Sequence, residues 1–172
     1  MTNTTSEQVG DSFAASTKAF QILAWVLFVG LIINGGKNMS SELMALDTDI
    51  LTFLDLFNGF WIAFLNNLPT FLLAWAIIDL AWFYGRCAEG EVFTRRNVKT
   101  LKVSAESLFW AALVSAVIAP TVTSWLEREP RGILWETNDL TFGVAAIGVA
   151  LYGFAMVLAK AVDLKEENDE MV

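Results

Sequence analysis

Five bases within seventeen residues, Arg86, Arg95, Arg96, Lys99 and Lys102, form the only dense cationic stretch of the chain. Clustered guanidinium and ammonium groups bind the oxygens of phosphates and carboxylates. The chemistry open to them is recognition of an anionic lipid headgroup or of an acidic peptide segment. A counterpart stands at the other end of the sequence, where Asp163, Glu166, Glu167, Asp169 and Glu170 against the single Lys165 give a net charge of −4. Asp79 is the one carboxylate well inside an apolar stretch, seven residues before Arg86 and so about 10 Å away along a helix axis. An acid in that setting marks either a polar site for an ion or substrate, or a carboxyl hydrogen-bonded to a neighbour such as Ser107 or Trp110.

The chain has no histidine, which removes most zinc sites, imidazole ligation of haem and every triad with a histidine base. The lone Cys87 excludes an internal disulfide. No glycine-rich phosphate loop, paired CxxC or nucleophile elbow is present. The expectation is therefore a protein that is not an enzyme, with no cofactor, no metal and no nucleic-acid partner.

These groups are positioned by apolar elements. Hydrophobic residues make up 55% of the 172 and charged ones 17%, against about 45–50% and 25% in soluble domains. The excess lies in four blocks, Ala19–Ile33, Phe60–Tyr84, Val103–Trp125 and Leu140–Val162. A spanning helix needs about 20 mainly apolar residues; the first block reaches that by recruiting residues 14–18 or 34–36. It lacks the basic flank and small-x-small site of a cleaved signal. The expected fold is all-α, a four-helix transmembrane bundle forming one integral membrane domain over residues 1–172. Its spans fall near 19–35, 60–84, 103–125 and 140–162, with a polar, frayed segment 1–17 and an acidic tail 163–172.

Charge orients the spans. The side holding both termini and the central loop carries eight of the eleven bases; the other has Lys37, Arg128 and Arg131. The positive-inside rule then puts both termini in the cytoplasm. Between spans one and two, Leu43, Leu46, Ile50, Leu54, Phe57 and Trp61 recur at three or four residues, predicting an amphipathic extracytoplasmic helix over Ser40–Trp61. It either meets lipid or receives a partner. Trp61, Trp82, Trp125 and Trp135 fall near span ends as interfacial anchors. Pro69 and Pro120 should bend spans two and three, with Asn66 and Asn67 beside the first able to satisfy freed carbonyls. Ala111, Ser115 and Ala119 in span three, and Gly143, Ala146, Ala150 and Gly153 in span four, predict close packing of these two spans or of two copies of the chain.

The central loop has its own logic. Gly90 permits a tight turn, Thr94 is placed as an N-cap, and Phe93 with Val98 occupies the positions of a hydrophobic staple. From there Arg95, Arg96, Lys99 and Lys102 form a basic stripe, and Val98, Leu101, Ala105 and Leu108 an apolar one. The stripe serves as a topology signal, a contact for anionic lipid or a dock for the acidic tail.

The run Gly90-Glu-Val-Phe93-Thr94-Arg-Arg-Asn97, followed by Leu101-Lys102, resembles the signature loop of a bacterial family of small four-span membrane proteins of unknown function. The tail Leu164-Lys-Glu-Glu-Asn-Asp169 resembles the acidic end of such proteins. The resemblance implies the four-span plan over nearly the whole chain, a place in the bacterial inner membrane, and no catalytic residue. It also implies a non-enzymatic interaction role, in immunity to a secreted peptide toxin or in membrane-linked regulation, with a secreted peptide or another membrane protein as partner. The alternative is a small oligomeric transporter or channel subunit built on Asp79.

Overall fold

The computed structural model describes residues 3–45, 53–127, 132–136 and 139–170. Its elements are all helical: α1 (Asn3–Met44), α2 (Phe53–Ala88), α3 (Arg95–Leu113), a π-helical turn (Val114–Ile118), α4 (Ala119–Leu126) and α5 (Asp139–Asp169). With α3 to α4 counted as one rod, four helices are long and apolar enough to cross a membrane. Each exceeds the roughly 20 residues a bilayer requires. The 36 residues of α2 run about 54 Å, so its ends project beyond a hydrocarbon core.

Packing follows sequence order. α1 lies along α2, α2 along α3, and α3 along α5, while among the described residues α1 and α5 form no extensive contact. Aromatic rings seal the first pair: Phe20 stacks on Tyr84 at 5.5 Å and Trp25 meets Trp82 edge-on at 5.9 Å. Trp61, Trp82, Trp125 and Trp135 are all exposed, as anchors at span ends require. The core cluster sits at the Arg86–Lys102 end, where Phe83 and Cys87 of α2 meet Val98 and Leu101 of α3 and Ala155, Leu158 and Val162 of α5.

Three expectations change. The segment 1–17, read as polar and frayed, is helical from Asn3; the hydroxyls of Ser16 and Thr17 back-bond within the helix, Ser16 Oγ to Ser12 O (2.9 Å) and Thr17 Oγ1 to Phe13 O (3.0 Å), so these two do not cap or break it. The stretch Ser40–Trp61 is not seen as one separate helix: its described start continues α1 and its described end opens α2, and residues 46–52 lie outside the described residues. The close packing of spans three and four is present, but Gly143, Ala146, Ala150 and Gly153 are exposed. The buried face of α5 is instead Thr141, Gly148, Ala155, Leu158 and Val162; all but Leu158 repeat every seven residues, the period of helices that coil around one another.

Pro120 has a local consequence. Lacking an N–H, it leaves the carbonyl four residues back without a helical donor. That carbonyl, Ala116 O, accepts from Glu136 N–H at 2.8 Å. Thr121 Oγ1 also accepts from Leu134 N–H (3.0 Å) and donates to Leu134 O (3.2 Å), strapping the 132–136 segment over the distortion.

Candidate interaction site at the basic loop

α2 ends in a Schellman turn. Glu91 N–H bonds Arg86 O (3.0 Å) and Gly90 N–H bonds Cys87 O (3.1 Å), the paired bonds of that motif. Gly90 takes φ +88, a region where a Cβ is strained. Four residues on, Thr94 is extended and its Oγ1 accepts from Asn97 N–H at 3.2 Å, capping α3.

Asn97 is the centre of this loop and is fully buried. Its Nδ2 donates to Glu91 O and to Val92 O (3.2 Å), and its Oδ1 accepts from Arg86 Nε at 2.6 Å. Arg86 also donates to Thr100 Oγ1 at 2.6 Å. One amide thus ties the end of α2, the loop backbone and the start of α3 together. Phe93, expected as one half of a staple with Val98, is half exposed, and Val92 packs against the core cluster containing Val98. Gly90, Thr94 and Asn97 hold the loop's shape, and Phe93 remains on its surface.

The predicted basic stripe divides. Arg95 Nη2 lies 3.2 Å from Asp163 Oδ1 and also meets Glu166 Oε2, while Arg95 Nε donates to Glu166 Oε1 at 3.1 Å. The bidentate bond joins residues 71 apart in sequence. It holds the carboxyl of Glu166 below its ordinary range, chiefly through the hydrogen bond. Beside it, Arg95, Lys99 and Lys102 of α3 face Ala159, Val162 and Asp163 of α5 across a cavity of about 340 Å³. Arg96 is exposed and does not line this cavity. The apolar stripe is core as expected: Val98, Leu101, Ala105 and Leu108 are all buried.

Asp79 stands apart from this end. Its Oδ2 is buried with no hydrogen-bond partner among the described residues, so neither Ser107 nor Trp110 serves it. Asn67 is buried and donates to Ala63 O at 2.9 Å, whereas Asn66 is exposed and reaches Glu42 Oε2 of α1 at 3.5 Å. A second polar cavity, of about 520 Å³, lies there between Glu42, Asn66, Thr123, Glu127 and Glu136. No group of three or more potential metal-ligating side chains occurs among the described residues.

Sequence reasoning found the cap, the turn and the charges. It missed Arg86 as the partner of Asn97, although an arginine at a helix end eleven residues before a buried amide is the available signal. It anticipated that α3 and α5 pack together but not which face of α5 does so, which only packing reveals. The sequence model of one family, described as a protein of unknown function (DUF2975), matches residues 59–172 of the chain. No curated protein and no solved structure matches.

Proposed function

The chain belongs to the DUF2975 family of unknown function, and from that premise we propose that it is a non-enzymatic interaction protein of the bacterial inner membrane. Both termini and the basic loop face the cytoplasm, since eight of eleven bases lie on that side. Its working end is the loop with the acidic end of α5, and its role is regulatory or protective against a secreted peptide. The partner is the anionic membrane surface, a peptide or another membrane protein.

One observation carries this reading: Arg95 is held by Asp163 and Glu166 with all three side chains substantially exposed, at 70%, 45% and 46%. Exposed pairs contribute little to stability and are screened by salt. A bidentate bond in that position is suited to opening and closing rather than to holding the fold. The expected result is that Arg95→Gln frees the tail. A nitroxide label introduced by Glu167→Cys should be slow in the parent protein and mobile in the variant, with 0.5 M salt moving the parent toward the variant. Equal mobility in both at low salt sinks the proposal.

Acid acts in the same direction. The contact is complete above the ordinary glutamate value of 4.5 and is lost as pH falls through the lowered value of Glu166. Label mobility should therefore rise only at pH below that ordinary value; release near neutrality contradicts the assignment.

A second reading, a small oligomeric transporter or channel subunit, draws on the unpartnered Asp79 oxygen. Asp79→Asn separates the two. Flux through proteoliposomes should fall at least tenfold for a transporter, whereas an interaction protein keeps its tail latch and its binding unchanged.

A further inference from the structure

The α3–α5 seam extends deeper than the groove beside Arg95. One to two turns deeper, Ala105, Glu106, Phe109 and Trp110 of α3 face Gly148, Val149 and Tyr152 of α5 across a second cavity of about 270 Å³. The two cavities share one helix face. On α3, Lys99, Lys102, Glu106 and Phe109 succeed one another at three or four residues, and on α5 so do Tyr152 and Val149, two turns from Ala159. Residues at these spacings lie above one another on a helix. The seam therefore has a basic mouth and an apolar floor, arranged end to end.

That order matches an amphiphile lying along the membrane normal. Lys102 to Trp110 is eight residues of helix, about 12 Å, against about 15 Å for one leaflet of a hydrocarbon core. Lys99 and Lys102 stand where a phosphate would sit, at the edge of the apolar stretch. Phe109, Trp110, Val149 and Tyr152 offer ring faces and methyl groups to a chain below it. Exposed aromatic and aliphatic groups facing lipid are ordinary; an apolar cavity between two helices, with three bases lining the next cavity along the same pair, is not.

We propose that the α3–α5 seam binds one anionic glycerophospholipid lengthwise, its phosphate between Lys99 and Lys102 and one acyl chain in the apolar cavity. This rests on reading the basic end as the working face, and it names that face's ligand. Asp163 lines the mouth beside Lys99 and Lys102 and, with Glu166, holds Arg95, so the tail carboxylates stand where they repel a phosphate seated between the two lysines. Glu106 lines the apolar cavity one helical turn from Lys102, where its carboxylate opposes a doubly charged headgroup and favours a singly charged one.

The test uses the full-length protein in neutral detergent, with phosphatidylglycerol or phosphatidylcholine added and bound lipid counted by native mass spectrometry. The expected result is one phosphatidylglycerol per chain, retained at least tenfold better than phosphatidylcholine. Each base near a leaflet is worth about fivefold, so Lys99→Gln with Lys102→Gln should lower retention roughly twenty- to thirtyfold. Val149→Trp, on an exposed position, should block retention with the bases intact, and deletion of residues 166–172 should increase it. Equal retention of the two lipids, or parental retention in the double lysine variant, overturns the proposal. The latch fails separately: lipid retained with no change in tail mobility on Arg95→Gln would refute the switch and leave the seam standing.

Discussion

Asn97→Ala should be the most destabilising single substitution in the loop, lowering stability by about 3–4 kcal/mol in a detergent-unfolding titration. The reason is the number of groups that lose their partner together. Two loop carbonyls, Glu91 O and Val92 O, lose their donor, and Arg86 Nε loses its acceptor. All of this occurs at a fully buried side chain, where an unsatisfied polar group costs about 1–3 kcal/mol and a charged one more. Thr94→Ala, which removes only the cap bond to Asn97 N–H, should cost about 1 kcal/mol. Asn97→Asp keeps the acceptor toward Arg86 but turns a carboxylate oxygen on the two carbonyls, so its loss should fall between the two. Equal losses for Asn97→Ala and Thr94→Ala would mean that the amide does not hold the loop.

The contrast between Thr94 and Asn97 shows where sequence reasoning reaches. Capping and left-handed turns are local chemistry: Gly90 and Thr94 could be assigned from their neighbours alone, and they sit as assigned. Asn97 draws its partners from α2 and from the loop, so its importance depends on how two helices meet. The spans were legible for the same local reason, because 20 apolar residues are long enough wherever they lie. Their facing sides were not. In an apolar helix every face is apolar, and small residues on α5 occur on two stripes. The stripe Gly143, Ala146, Ala150 and Gly153 looks as able to pack as Thr141, Gly148, Ala155 and Val162, yet only the second is buried.

Charge behaved similarly. The basic run and the acidic tail were evident as opposite patches, but which base meets which acid depends on the register of α3 against α5. That register brings Arg95 to Asp163 and Glu166 and leaves Arg96 outside. The site therefore arises from two layers of cause. Local caps fix the loop, and the packing of one helix pair decides which charges it can use.

That pair can be tested at its closest point. A Cβ on Gly148 would stand 3.1 Å from Ala105 O and 3.2 Å from Leu108 Cβ, both belonging to α3. An alanine there asks the neighbouring backbone to give by a few tenths of an ångström. A leucine cannot be accommodated without separating the helices, and overpacking of this kind costs about 1–3 kcal/mol. Gly148→Leu should therefore lower stability by about 3 kcal/mol and, by opening the seam, release the tail from Arg95, so that the label at position 167 becomes mobile. Gly143→Leu is the matched control, since nothing lies within 4 Å of a Cβ there, and it should change stability by less than about 0.5 kcal/mol. If Gly143→Leu proves as damaging as Gly148→Leu, the exposed small stripe is itself an interface, and the partner across it is a second copy of the chain. If only Gly148→Leu is damaging, the α3–α5 contact carries both the fold and the site, and the outer face of α5 is left to lipid.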